Sequence, residues 1–318
     1  MHIGSLSIAH PITLAPLEEH SNYCFRRLMK QCGASLVCSE RVDAAAVARR
    51  DRRALRVLYT RPDEAPRAGQ ISGATAAEMA EAARVVAELG FDLVDLNFEC
   101  PVRRLLNRGE GGALLADPLA IGRIVAAVVR AVSVPVTIKI RSGPDAGRET
   151  AAEVAMRAEA AGAAAACVHA RSVAQGYVGG PDWSVISRVK AALRIPVLGS
   201  GGIREAADAV ACLRATGADG VAVGRGCLGN PWIFGQARAL WSGGAMPSPP
   251  TALQRGHVLL QLVQGEFHLL GTAVALRRLP RIACYFAKPL PEFPAFRRAV
   301  QEIANLPQLR RLVKEHFG

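Results

Sequence analysis

VDLNFECPVRR, residues 94–104, starts as a buried strand and ends as something else. Up to Phe98 the apolar side chains read as a strand inside a core. Asp95, Asn97 and Glu99 then alternate, Cys100 follows, and Pro101 cannot continue a ladder. Arg103 and Arg104 open a glycine-containing loop, RRLLNRGEGGALL. A thiol is thus brought to the end of a strand and surrounded by charge.

The flanks of this stretch set the architecture. On one side lies the amphipathic pattern AAEMAEAARVVAELG (76–90), on the other PLAIGRIVAAVVRAV (118–132). The same alternation runs along most of the chain. ITLA (12–15), SLVCSE (35–40), AGQIS (68–72), DLVDLNF (92–98), PVTIKI (135–140), AAACVHA (164–170), IPVLGS (195–200) and DGVAVG (219–224) read as strands, most of them separated by helical stretches. Eight strands, seven connecting helices and one helix after the last strand predict a (β/α)8 TIM barrel. A doubly wound sheet is the alternative, but the glycine-rich turn it places after its first strand is missing. The barrel is expected to span residues 1–242. GGAMPSPP (243–250) reads as a linker, and residues 251–318, with LQRGHVLLQLVQGEFHLLG and FRRAVQEIANL as helices, as a small all-helical domain.

Composition narrows the function. The chain of 318 residues is 50% apolar, yet no run of about 18 uncharged apolar residues exists, so no membrane span is expected. No signal peptide is legible, and the eight cysteines form no CxxC pair, which leaves a zinc site without spacing. A cytoplasmic protein with reduced thiols is expected. The net charge of +12, with arginine clusters at 26–27, 49–56, 103–104, 277–278, 297–298 and 310–311, reads either as a solvated basic surface or as a footprint for a polyanion.

In a barrel of this kind the chemistry lies at the C-terminal ends of the strands. GSGGI (199–203) and GRG (224–226), after the seventh and eighth strands, are placed to hold a phosphate. Lys139, in the barrel mouth, needs an anion or an electron-rich group; a salt bridge to Asp95 or Glu40 is the structural alternative. His169 is either a ligand contact or a core histidine. Cys100 is expected at the rim, where a thiol protonated at neutral pH can act as a general acid. A nucleophilic role has no adjacent histidine in the sequence to activate it.

The motifs AP (15–16), Gln70, DLNFECP (95–101), GEGGALL (109–115), VTIKIRSG (136–143), HARSVAQGYVGGPDW (169–183), GSGGI (199–203) and GRGCLGNPWIF (224–234) together resemble the tRNA-dihydrouridine synthases. The resemblance covers nearly the whole chain and implies reduction of uridine to 5,6-dihydrouridine in tRNA, with FMN as cofactor and NADPH as reductant. It implies hydride transfer from the reduced flavin to C6 of uracil and proton transfer from Cys100 to C5. Pro16, Leu17 and Glu18 would line the flavin ring, and Gln70 and Lys139 would meet its polar edge. His169 would sit over the ring or near the phosphate, which Ser200, Gly201, Gly202, Gly224 and Arg225 would hold. Asn97, Arg141 and Arg171 would face the substrate, and residues 251–318 would bind RNA. A monomer is favoured.

The chain also departs from the family pattern. Glu19 stands where glycine is usual and Asn22 where an acid is usual; Glu99 replaces a glycine, and Ser200 and Gly202 stand for Asn and an acid. These departures motivate a second reading, an RNA-binding paralogue that no longer reduces uridine. A small-molecule flavin oxidoreductase on the same barrel is a third.

Overall fold

The computed structural model describes all 318 residues. Each of the eight expected runs contains a strand: β1 Ile12–Leu14, β2 Val37–Cys38, β3 Arg67–Ser72, β4 Leu93–Phe98, β5 Val136–Arg141, β6 Ala165–His169, β7 Val197–Ser200 and β8 Gly220–Val223. They pair in parallel in the order β1-β8-β7-β6-β5-β4-β3-β2. The ring is completed where Leu14 N–H donates to Leu36 O at 2.9 Å and Ser35 N–H to Ile12 O at 3.0 Å. β2 is shorter than its sequence run: past Cys38 the run keeps one backbone bond to β3, from Ser39 N–H to Ala68 O at 2.9 Å, and the Ser39 hydroxyl takes the N–H of Gln70.

Parallel register decides what meets at the barrel mouth. Gln70 lies opposite Asp95, Asn97 opposite Lys139, and Arg141 and Ser200 each opposite His169. Below these polar pairs the interior is apolar: Cys38, Ala68, Leu93, Cys167, Leu198 and Ala222 form one cluster. A hairpin the sequence reading missed, His2–Ile3 paired with Leu6–Ser7, adds Ile3 and Ile8 to that cluster. The larger core lies between sheet and helices and runs without interruption into the C-terminal helices, where Leu259, Phe286 and Leu309 belong to it.

After the helix Ile233–Trp241, residues 243–250 form an extended segment that is almost wholly exposed. The remainder holds helices Ala252–Leu270, Thr272–Ala287, Phe293–Ala299 and Leu306–Phe317. One of these forms against a local signal and another departs from expectation. Thr272–Ala287 forms despite Pro280 because it buries Leu279, Ile282, Ala283 and Phe286. FRRAVQEIANL is not one helix: a 3-10 turn ends at Glu302, and Asn305 caps a new helix by accepting the N–H of Gln308. No helix is long and apolar enough to cross a membrane.

Candidate active site

A cavity of about 860 Å³ opens over the C-terminal ends of the strands. The sequence lines it unevenly. Seven cations (Lys139, Arg141, Arg171, Arg204, Arg225, Arg255 and Lys288) face it, against the carboxylates of Glu18 and Glu99. Such an imbalance in a concave site favours an anionic ligand.

Its clearest anion cradle is the turn after β7. Gly201 and Gly202 take φ of 97° and 82°, and a Cβ on Gly202 would lie 2.6 Å from Pro181 Cγ, so the backbone alone can face the ligand there. Trp183 Nε1 braces the turn by donating to Gly201 O at 2.9 Å. His169 stands against Gly201, its Nδ1 enclosed and without a partner. Burial first, then Lys139, Arg141, Arg171 and Arg225, push its pKa down to about 2, so the ring is neutral. Arg171 gives Nε and Nη2 to Gly179 O, while its Nη1 is enclosed and unpaired. Arg225 lies over the Tyr177 ring, 4.6 Å from its centroid. Ser200 directs its hydroxyl to Ala222 O at 3.1 Å. Unpaired buried donors and a glycine cradle fit a phosphorylated ligand.

The other end holds the strand that opened the sequence reading, and here the polar side chains turn onto one another. Gln70 and Asn97 do not line the cavity. Gln70 is fully buried, donating Nε2 to Asp95 at 2.7 Å and accepting from Asn97 Nδ2 at 2.9 Å. Asn97 Oδ1 in turn accepts from the N–H of Glu99 and of Cys100, at 3.2 and 3.1 Å. Both side chains therefore shape the turn that presents the thiol, because parallel register brings them together inside the barrel. Lys139 pairs with Glu99 at 2.5 Å, not with Asp95 or Glu40. Asp95, raised by burial to about 6, is bound instead by Thr137 and Gln70. Arg141 lines the cavity, but it donates to backbone oxygens of Glu99, Ser172 and Gly176 and so organises the loop carrying Tyr177.

Cys100 is not at an open rim. It is 9% exposed, beneath the turn at Gly111–Gly112, with Gly112 N–H donating to its carbonyl at 3.1 Å. Ion pairs cross the loop over it: Arg108 bridges Asp43 and Glu110, each at 2.8 Å. Burial raises the thiol pKa, Arg41 partly opposing it, so the thiol carries its proton at neutral pH.

The dihydrouridine synthase family profile matches residues 13–317. The chain belongs to that family. Its relatives include a "Probable tRNA-dihydrouridine synthase" of Mycobacterium tuberculosis, 36% identical over 333 residues and covering 100% of this chain and 85% of the relative. Another is the tRNA-dihydrouridine synthase B of Xanthomonas axonopodis pv. citri, 35% identical over 318 residues, covering 100% of this chain and 96% of the relative. Among solved structures, morphinone reductase superposes with a TM-score of 0.55 at 15% identity, over 79% of this chain and 90% of its own, which establishes the shared barrel. Family membership makes the protein a flavin-dependent oxidoreductase.

In this dihydrouridine synthase the loop after β1 carries Pro16, Leu17 and Glu18 to the cavity wall. It is braced from beneath by Arg26, which sequence reading had placed among basic surface clusters. Arg26 is fully buried, pairing bidentately with Glu64 and donating Nη1 to Ser21 O at 2.7 Å. Ser21 Oγ then takes the N–H of Leu17 at 2.9 Å. The two departures in this loop both meet the C-terminal helices. Glu19, at φ 62°, accepts from Arg281 at 2.5 Å, and Asn22 donates to Glu266 at 2.5 Å, which Arg278 also binds.

Sequence reasoning missed Tyr177, Arg255 and Lys288 as lining residues and Arg41 as a neighbour of the thiol. Tyr177 stood inside the specific HARSVAQGYVGGPDW motif. The other three carried no local signal, being brought in by tertiary packing.

Proposed function

We propose that this chain reduces uridine in tRNA to 5,6-dihydrouridine, with FMN as its bound cofactor and NADPH as the reductant. The observation that carries this reading is the cavity itself. It holds the glycine cradle at Gly201 and Gly202, beside His169, Arg225 and the unpaired Nη1 of Arg171, in one space with Glu99 at the end of β4, next in the chain to the protonated Cys100. When bound and reduced, FMN supplies hydride to C6 of the uracil.

The residues divide the remaining work. Ser200, Gly201, Gly202, Gly224 and Arg225 hold the FMN phosphate, and His169 accepts or donates a neutral hydrogen bond beside it. Pro16, Leu17 and Glu18 flank the ring, and Lys139 meets its polar edge. Gln70 acts through Asn97, which orients the backbone of Cys100. Cys100 gives its S–H proton to C5, so the C5=C6 double bond becomes a single bond, C5 and C6 each gain one C–H bond, and the thiolate regains a proton from solvent. Arg141 and Arg171 shape the substrate side through the 172–179 loop. The uridine must be extruded from folded RNA to reach the cavity, and the charge of +12 attracts the phosphate backbone. With this goes a division into a catalytic barrel (1–242), a linker (243–250) and a helical RNA-binding domain (251–318), in a cytoplasmic monomer.

The test pairs a visible spectrum of the purified protein, its chromophore identified by mass, with dihydrouridine mapping in a deletion strain. FMN in the protein and dihydrouridine restored by wild type but not by Cys100→Ala are expected. Undiminished dihydrouridine on deletion overturns the activity; a protein that takes up no FMN overturns the site.

A further inference from the structure

Glu99 places a carboxylate in the cavity wall next to a buried lysine. Both Glu99 and Lys139 line the cavity, and their side chains are 15% and 3% exposed. Lys139 Nζ donates to Glu99 Oε2 at 2.5 Å and to nothing else. Glu99 is itself held from both sides: its N–H reaches Asn97 Oδ1 at 3.2 Å and its carbonyl accepts Arg141 Nε at 2.9 Å. The carboxylate is thus a fixed part of the site.

The chemistry of that position follows from charge. Reduction of a flavin places negative charge along its N1–C2 carbonyl edge, and an uncompensated ammonium there favours the reduced form. A carboxylate beside the ammonium cancels most of its field within the water-poor site. Burial opposes charging of Lys139, and Glu99, with Cys167 and Asp95, more than offsets it, so the amine stays an ammonium against Glu99.

We propose that Glu99 is a positioning residue that holds Lys139 as a neutralised pair and so lowers the reduction potential of the flavin bound against it. The inference rests on the FMN site of the previous subsection. It makes this protein a stronger hydride donor, once reduced, than the same barrel with an uncharged residue at 99.

The test is the two-electron midpoint potential of FMN-loaded wild type, Glu99→Gln, Glu99→Gly and Glu99→Asp, measured by dye equilibration. Glu99→Gln and Glu99→Gly should both shift the reduction equilibrium at least about tenfold toward the reduced flavin, a rise of about 30 mV or more for a two-electron couple. Glu99→Asp, which keeps the charge, should shift it by less than half as much. Equal shifts in all three variants would assign the effect to packing and overturn the proposal, as would no shift in any. A wild type that binds no FMN removes the underlying site; a wild type that binds FMN while the Gln and Gly variants match its potential sinks only the role of Glu99.

Discussion

Removing the Glu64 carboxylate should cost far more than an ordinary surface change. Glu64 and Arg26 are both fully buried, joined by Nε–Oε2 and Nη2–Oε1 contacts of 2.8 Å, and Thr60 donates to the same carboxylate at 2.6 Å. In Glu64→Ala the guanidinium keeps only the carbonyls of Ser21 and Tyr59, both at 2.7 Å, and remains an uncompensated charge away from water. Breaking a buried pair from one side costs about 3–5 kcal/mol. At roughly 2 °C per kcal/mol for a chain of this size, the midpoint should fall by about 6–10 °C. Urea unfolding followed by far-UV circular dichroism and tryptophan fluorescence measures the free-energy loss, and a thermal scan the midpoint. The double change Arg26→Met with Glu64→Leu should recover most of the stability, because apolar replacements of similar volume are often neutral. It should not recover FMN affinity, because Ser21 loses its brace; one net hydrogen bond of about 1 kcal/mol corresponds to roughly a fivefold weaker Kd. A loss below about 1 kcal/mol in Glu64→Ala, or a double variant as unstable as the single, would refute the reasoning.

Three further outcomes are expected. Glu19→Gly exchanges an exposed ion pair, worth about 0.2–1 kcal/mol, for relief of a left-handed backbone that costs a side-chain-bearing residue about 1–2 kcal/mol. It should be neutral or stabilising by up to about 2 kcal/mol in thermal unfolding, while Glu19→Ala, which loses the pair and keeps the strain, should be less stable than wild type. Gly229→Ala combines a φ of 69° with a Cβ 2.1 Å from the carbonyl of Tyr285, so it should displace the C-terminal helices at a cost of about 3 kcal/mol, read as faster limited proteolysis at 243–250 and weaker tRNA binding. His169, held neutral with its pKa depressed to about 2, binds no proton in the folded state at pH 4–6, whereas the unfolded chain does; stability therefore falls as pH drops below the unfolded pKa of about 6.5. The slope from this group is at most about 1.4 kcal/mol per pH unit, and ligand-free His169→Gln should unfold with a measurably flatter dependence between pH 4 and 6.5.

The chain by itself determined the barrel. Strand-length apolar runs alternating with amphipathic helices are a one-dimensional pattern, because a parallel strand buried on both faces needs a continuous apolar run and a returning helix needs one apolar stripe. The glycines at 201 and 202 and the thiol at 100 were legible for a similar reason: backbone freedom and a strand-ending proline are local properties. What the side chains touch was not local. Glu99 read only as a departure from the family's glycine, and the register of β4 against β5 set it on Lys139. Asn97 and Gln70 read as ligand contacts, and the register of β3 against β4 turned them onto each other. Arg26 looked like surface charge until Glu64, 38 residues away, proved to be its buried partner. The contribution of Tyr285, Arg255 and Lys288 to the cavity depended on where the C-terminal helices dock, through Glu19, Asn22 and Gly229. Periodicity encodes which face of an element is buried; which polar groups then satisfy one another is decided by the distances that closing the barrel creates.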